Sequence, residues 1–271
     1  MKKSLLVWMV MLLLPFLGSS QVSLVNLPMQ PNGSILTQKI VGNTLYMGGN
    51  FTGFELPSNY WAAVNLSSGQ PVQANLPAVN SQIRTLVSDG SGGYLLGGYF
   101  TTVGGQTRTY FARLNSSLSV HPLNLNVNGA VNKIVVNGNI AYVFGSFTSV
   151  NYQTRVGGFA INLSTNTMTS WSPGFTSADV QSALIYGNYL VVAGRFTHNG
   201  TTKQLVCYNV NNGSWVSQFN PLIRLSNSVN NAIVYDLAVS GTVLYFGGNF
   251  NSVNSNVRTY FAGIDLNTSM F

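Results

Sequence analysis

The sequence predicts an all-β fold, namely a β-propeller of five blades with four antiparallel strands in each blade. A motif, Gly-Gly-x-Phe or a close variant, recurs five times, and its phenylalanines are 49, 47, 49 and 54 residues apart. Apolar runs separated by turn residues surround each copy, without helical periodicity. Only 6% of the residues are charged and 45% are hydrophobic, which indicates a packed core.

Each repeat has the same predicted order of elements. Two strands joined by a tight turn lead into the motif, and a polar loop, a third strand and an irregular fourth segment follow it. Gly-Asn pairs at 42–43, 138–139 and 187–188 suit a short hairpin turn because both residues tolerate positive φ. The predicted blades span 34–80, 81–128, 129–177, 178–225 and 226–271.

The N-terminal region is predicted to close the ring of blades. The last repeat stops after its third strand, and residues 22–28 resemble the fourth segments of repeats one and two. We therefore expect residues 22–28 to complete the last blade and to remove the exposed edges of an open array. On this interpretation residues 21–271 form one domain. The alternative is a piece of a larger propeller.

The first twenty residues predict a cleaved secretory signal peptide, residues 1–20. Lys2 and Lys3 precede the apolar run 5–17, and small residues follow it at 18–20. An uncleaved anchor is the alternative, although the run is shorter than the ~20 apolar residues that span a bilayer. The mature protein is thus expected outside the cell, at its surface or in the periplasm, and not embedded in the membrane.

The repeated motif is interpreted as a structural element. Glycine allows backbones to approach closely or a bulge to form, and phenylalanine fills the space between blades. The residues assigned to this motif are Gly49, Phe51, Gly98, Phe100, Gly145, Phe147, Gly194, Phe196, Gly248 and Phe250.

These residues carry a family resemblance. The stretches "GGYFTTVGGQTRTYFARLN", "FGSFTSVNYQTRVGGFAIN" and "GGNFNSVNSNVRTYFAGID" resemble the delta-60 repeat, a secreted bacterial β-propeller repeat. A weaker similarity links them to the kelch-like repeats of fungal cortical polarity-marker proteins. The resemblance covers nearly all of residues 34–268 and implies a propeller on or outside the cell, but no reaction. Repeat four departs most, because "AGRFTHNGTTK" lacks the paired glycines.

The residues that carry most enzyme chemistry are few and scattered. The acids are Glu55, Asp89, Asp179, Asp236 and Asp265, and the histidines are His121 and His198. Turn or surface roles are expected for Asp89 and Asp265. Cys207 lies in an apolar run and is expected to be a buried thiol. We therefore predict no catalytic residue, no metal and no cofactor. Two converging acids would instead indicate a polysaccharide lyase or hydrolase.

One cation recurs in the loop after the motif. Four repeats carry it, as Arg108, Arg155, Lys203 and Arg258, whereas repeat one has Asn59. These residues are predicted to form a positive rim that attracts an anionic ligand. The alternative is that each cation bonds carbonyls of an adjacent blade. Aromatic residues offer a second route to binding, among them Trp61, Tyr152, Trp171 and Trp215.

The sequence therefore predicts a non-catalytic binding module. The expected partner is a surface glycan, an envelope protein or a small anion, and the alternatives are the polysaccharide-active enzyme and a structural, adhesin-type repeat. Basic residues are not clustered with aromatic ones, so nucleic acid is not expected as a partner. We expect a monomer.

Overall fold

The computed structural model describes residues 31–54, 56–57, 60–72 and 75–269. The predicted signal peptide 1–20 and the predicted closing strand 22–28 lie outside these residues. Among the described residues the fold is all-β apart from one short helix, α1 (Leu266–Ser269). No described helix is long and apolar enough to cross a lipid bilayer.

The strands follow the order that the repeats predict. Repeat one contains β1 (Ser34–Val41), β2 (Thr44–Asn50), β3 (Gly53–Phe54), β4 (Leu56–Pro57) and β5 (Trp61–Asn65). Repeat two contains β6 (Ile83–Ser88), β7 (Tyr94–Gly98), β8 (Thr102–Val103), β9 (Gln106–Thr107) and β10 (Phe111–Leu114). Repeat three contains β11 (Val131–Asn137), β12 (Ile140–Gly145), β13 (Ser149–Val150), β14 (Gln153–Thr154), β15 (Gly158–Asn162) and β16 (Thr167–Met168).

Repeat four has longer strands, the second and third of which continue into the small hairpin, and repeat five has the same order as repeat one. Repeat four contains β17 (Phe175–Tyr186), β18 (Tyr189–His198), β19 (Thr201–Asn209) and the short linking strand β20 (Ile223–Arg224). Repeat five contains β21 (Ile233–Ser240), β22 (Val243–Asn249), β23 (Ser252–Val253), β24 (Asn256–Val257) and β25 (Phe261–Asp265).

Each repeat builds one antiparallel main sheet. The orders are β1-β2-β5, β6-β7-β10, β11-β12-β15-β16, β17-β18-β19 and β21-β22-β25. Among the described residues, a fourth strand is present only in repeat three. In repeats one, two and four the fourth segment makes a single bridge, namely Val64–Pro71, Leu114–Val120 and Tyr208–Trp215. The described fourth segments of these repeats therefore do not form the expected strand, and in repeat two Pro122, which has no N–H to donate, follows the bridge.

The sheets radiate from a common inner edge. The first strands pack side by side along the row, β1 on β6, β6 on β11, β11 on β17 and β17 on β21. Apolar clusters fill the space between neighbouring sheets, for example around Trp61, Phe111 and Phe144. Within the described residues, β1 and β21 at the two ends do not pack on each other as these four pairs do.

A β-bulge interrupts every first strand at the same place. The extra residues are Leu36, Arg84, Asn132, Gln181 and Tyr235. The second motif glycine lies across from each bulge. A Cβ added to it would overlap the carbonyl oxygen of the first strand, for example that of Ser34 opposite Gly49 or of Ala130 opposite Gly145. The motif phenylalanines are all buried: Phe51, Phe100, Phe147, Phe196 and Phe250.

Beside the motif, a bulky residue and a small residue face each other across the second and third strands. The bulky residue packs towards the next repeat. The cross-strand pairs are Gly48–Trp61, Gly97–Phe111, Phe144–Gly158, Ala193–Leu205 and Gly247–Phe261. Repeat three exchanges the two members, since Phe144 stands where the other motifs have glycine or alanine.

The two ends of the row expose residues that are buried at every internal junction. Ile35 is 41% exposed, whereas its counterparts Ile83, Val131, Val180 and Val234 are fully buried. At the other end Phe261 is 60% exposed, whereas its counterparts Trp61 and Phe111 are buried. A Cβ on Gly48 would lie 2.8 Å from Ile83 of the next repeat, whereas one on Gly247 would meet, among the described residues, only the carbonyl oxygen of Tyr260, at 3.7 Å.

Candidate functional site

The motif face is the end of the main sheets that carries the Gly-Gly-x-Phe motifs, the small hairpins after them and the linkers between repeats. Side-chain clamps hold its loops in three repeats. The side-chain oxygen of Asn80 accepts hydrogen bonds from the amides of Thr101 and Thr102, at 2.9 and 3.0 Å. Asn32 and Asn128 make the same pair of bonds in repeats one and three. The hairpins are thus fixed relative to the sheets.

Arg108 is a buried member of the predicted cationic set. Its Nη2 donates to the His121 carbonyl at 3.0 Å and to Gln106 Oε1 at 2.9 Å, and its Nη1 donates to the Thr107 carbonyl at 2.7 Å. All of these acceptors belong to its own repeat, not to an adjacent blade. Burial lowers the pKa of Arg108 from its ordinary value, but Arg stays charged. The side chain therefore ties its hairpin to the fourth segment.

The other three predicted cations are more accessible. Arg155 and Arg258 each donate from Nη1 to the carbonyl of the preceding residue, at 2.9 and 2.8 Å. Lys203 Nζ donates to Asn220 Oδ1 at 2.6 Å. Arg258 is exposed, while Arg155 and Lys203 are half-buried. No described acid pairs with any of the three, which leaves their charge available to a ligand.

Sequence reasoning missed an ion pair within repeat two, at the end opposite the motif face. Arg113 donates from Nη2 and Nε to Asp89 Oδ2 at 2.7 and 2.9 Å. Both residues are buried, at 6% and 5% exposure. Burial alone would raise the pKa of Asp89, but hydrogen bonds from Ser91 and Arg113 outweigh it and hold that pKa below the ordinary 3.8. Asp89 is thus a turn residue and also half of a buried ion pair.

The remaining acids do not form a catalytic pair in the described residues. Asp179 accepts from Ser146 Oγ at 3.0 Å and from Gln181 Nε2 at 2.6 Å, and Asp236 accepts from Ser182 Oγ at 2.8 Å. Asp265 accepts from the Asn267 amide at 2.9 Å, and Glu55 lies outside the described residues. Within those residues no group of three His, Cys, Asp or Glu side chains could hold a metal ion.

His198 occupies a core position of repeat four. Its counterparts in the small hairpins are Val103, Val150 and Val253, and all four side chains are buried. The imidazole packs against Trp215, with ring centroids 4.7 Å apart, and its Nδ1 has no partner. Burial, and then the charge of Lys203, lower the pKa of His198 below 6.5. The ring is therefore neutral near pH 7.

Cys207 and Trp61 lie in the core, whereas Tyr152 lies at the surface. Cys207 is fully buried, and burial raises the pKa of its thiol to about 12, so it is not a nucleophile. Trp61 is buried, and its Nε1 donates to the Pro77 carbonyl at 2.9 Å. Tyr152, at the tip of the β13–β14 hairpin, is 92% exposed.

A second set of motif-face residues was not singled out from the sequence. It consists of the bulge residues and the variable motif residues between glycine and phenylalanine, which are Asn50, Tyr99, Ser146, Arg195 and Asn249. These side chains lie at the inner edge, where Arg84 and Tyr99 meet with Nη1 and Oη 3.5 Å apart. Alignment of the five repeats would have found the variable motif position, but the bulge has no sequence signal of its own.

Comparisons with known proteins agree on the kind of fold. A family model described as "Domain of unknown function (DUF5122) beta-propeller" matches residues 90–120, which lie in repeat two. The crystal structure of the computationally designed Ika8 protein is similar, with a TM-score of 0.51 and 13% sequence identity. The match covers 86% of this chain and 58% of the designed chain, and at this identity the likeness concerns the fold alone. No curated protein matches the chain.

The radiating antiparallel sheets, the recurring motif and the family match together define the class of the protein. It is an all-β protein built from β-propeller repeats.

Proposed function

We propose that the protein is a secreted or surface-exposed β-propeller of the delta-60 type that binds anionic glycans on its motif face without catalysis. The observation that carries this proposal is the excess of unpaired positive charge on that face. Arg155, Lys203 and Arg258 have no described acid as a partner, and Arg108 adds a fourth charge beneath them. Several like charges on one face attract anions over longer distances than a single contact.

Binding of acidic probes by the mature chain, residues 21–271, tests this function. We expect sulfated and uronic-acid polysaccharides to bind, neutral glycans not to bind, and affinity to fall with added salt. Arg155→Ala/Arg258→Ala is expected to weaken binding of every acidic probe about tenfold, because each of these two accessible cations contributes a charge-assisted contact. Binding is measured by biolayer interferometry on a glycan array.

A matched control separates site charge from net charge. Lys39→Ala/Lys133→Ala removes the same two charges from the first strands and is expected to change affinity less than twofold. Equal losses for both double variants would show that only net charge matters. No binding of any acidic probe would contradict the proposed function and favour a protein partner or a structural role.

We also propose that the five repeats close into one monomeric ring, with residues 22–28 completing the last sheet. Exposed Ile35 at one end and the open space over Gly247 at the other are the two halves of an internal junction, as Ile83 and Gly48 form it. Closure would seat Ile35 on Gly247 and cover Phe261. This removes apolar surface from water at both ends.

Ile35→Asp tests the closure. In a closed ring it buries an unpaired charge, so the melting temperature is expected to fall by about 10 °C. The control is Asn43→Asp, an exposed turn residue whose counterparts Asn139 and Asn188 are also exposed, so it should shift the melting temperature by no more than about 2 °C. Equal, small shifts for both variants would contradict closure.

A further inference from the structure

A crescent of variable polar side chains lies at the inner edge of repeats two to four. It consists of the bulge residues Arg84, Asn132 and Gln181 and the variable motif residues Tyr99, Ser146 and Arg195. Positions on either side of these residues repeat, because the junctions between sheets require the same shape each time. The residue before each bulge, for example, is always isoleucine or valine. The crescent residues differ among repeats two, three and four, so the shared packing does not determine them.

Contacts hold the crescent residues in two groups, one within repeat two and one between repeats three and four. In repeat two the Arg84 guanidinium lies 5.7 Å from the centre of the Tyr99 ring. At the junction between repeats three and four, Ser146 and Gln181 donate to the same oxygen of Asp179. Asn132 Nδ2 donates to the Val180 carbonyl at 2.7 Å, also between repeats three and four. The crescent is therefore held in place by the sheets beneath it.

The crescent has hydrogen-bonding capacity that the chain leaves unused. Arg84 makes one long hydrogen bond, to Tyr99 at 3.5 Å, and Arg195 makes one, to the Asn230 carbonyl at 3.4 Å. Neither guanidinium pairs with a described acid, although each presents five donors. Asn132 is 6% exposed, and its buried Oδ1 has no partner. A buried acceptor of this kind takes a hydrogen bond from a donor outside the chain, either a water molecule or a ligand hydroxyl.

These groups together specify the chemistry of a ligand. A planar guanidinium binds a carboxylate or sulfate through two parallel hydrogen bonds. A simple anion would not supply the donor that Asn132 Oδ1 lacks, whereas a hydroxyl group supplies it. Tyr99, which is 45% exposed, offers a ring face beside Arg84. Repeats one and five carry Leu36 and Tyr235 at the bulge, so the polar groups lie on one side of the inner edge.

We propose that the crescent is the recognition site for an acidic saccharide, a sugar chain with carboxylate or sulfate groups. This inference rests on the proposed function and deepens it. The cations of the small hairpins attract any anion, whereas the crescent distinguishes a sugar from other anions. Arg84 and Arg195 bind the acidic groups, and Asn132 and Gln181 bind hydroxyls.

The test compares two probes of equal charge, an oligogalacturonate and an oligoglutamate, by isothermal titration calorimetry on the mature chain. The wild-type protein is expected to bind the oligogalacturonate at least tenfold more tightly. Arg84→Lys/Arg195→Lys keeps both charges but removes the planar guanidinium groups that donate two parallel hydrogen bonds. This double variant should lower the affinity for the oligogalacturonate at least tenfold and change the affinity for the oligoglutamate less than twofold. Unchanged thermal unfolding of this variant confirms that it is folded.

The outcomes separate this inference from the proposed function. Wild-type binding of both probes with equal affinity, or a sugar preference that survives Arg84→Lys/Arg195→Lys, would overturn the crescent alone. Tighter binding of the peptide, lost in the lysine variant, would assign the crescent to acidic peptides and overturn the saccharide proposal. Failure of the wild-type protein to bind either probe would overturn the proposed function itself. Arg155→Ala/Arg258→Ala is the matched control and should weaken both probes to the same extent.

Discussion

Gly145→Ala is expected to lower the free energy of unfolding by about 3 kcal/mol or more. A Cβ on Gly145 would overlap the carbonyl oxygen of Ala130 and lie 3.0 Å from the Cα of Val131. Both obstacles are backbone atoms, so no side-chain rotation relieves the overlap. The first strand would have to move away, and its bulge at Asn132 would be lost or shifted.

Urea unfolding followed by tryptophan fluorescence measures this effect. The control is Ser146→Ala at the next position, where the side chain is exposed and loses only its hydrogen bond to Asp179; about 1 kcal/mol or less is expected. Gly98→Ala is expected to behave like Gly145→Ala, because a Cβ there would overlap the Gln82 carbonyl oxygen. A Gly145→Ala protein as stable as Ser146→Ala would mean that the two strands are not so close at the bulge.

Arg113→Ala is expected to destabilise the protein by about 3–5 kcal/mol, because it leaves the Asp89 carboxylate buried without its partner. The guanidinium also donates to the Leu163 carbonyl at 2.8 Å and to Asn166 Oδ1, so it connects repeat two to repeat three. The double change Arg113→Met/Asp89→Leu removes both charges and is expected to recover much of the loss.

The pH dependence of stability gives a second measurement on the same pair. Since the pKa of Asp89 is held below 3.8 in the folded protein, the pair stabilises the fold above that pH. This contribution is lost as the pH falls below about 3.8 and the carboxylate takes up a proton. Acid unfolding of the wild-type protein and of Arg113→Met/Asp89→Leu should therefore differ in steepness there. Identical acid profiles, or a mild effect of Arg113→Ala at pH 7, would contradict the role of the pair.

The architecture was readable from the sequence because its signals are local and repeat. The motif, the tight turns at positions such as Gly138 and the buried phenylalanines all recur at fixed distances. The fourth strands were overestimated, because apolar residues in those segments suggested more pairing than the single bridges that form, and Pro122 in repeat two cannot donate to a further one. The Arg113–Asp89 pair was missed, because its residues are 24 positions apart and occur in one repeat only.

Only part of the candidate site was readable from the sequence, for a similar reason. Recurrence marked the cations after the motif, but it did not reveal that Arg108 bonds carbonyls within its own repeat while Arg258 stays exposed. The bulge residues do not share a residue type, so the common position of Arg84 and Asn132 is recognised only from the pairing of the strands. Residues that recur are the ones that packing fixes, whereas recognition uses the positions between them.

The exchange between Phe144 and Gly158 bears on how such repeats diverge over time. One ring fills the gap to the next repeat, and it can stand on either of two neighbouring strands. A lineage that moves the ring from one strand to the other passes through a step with two rings, which overfills the gap, or with none, which leaves it empty. Ala193 and Leu205 of repeat four differ less in size, so a pair of this kind is intermediate between a ring on the second strand and a ring on the third. A comparison that scores each position alone counts two mismatches in repeat three, although the occupied volume is conserved.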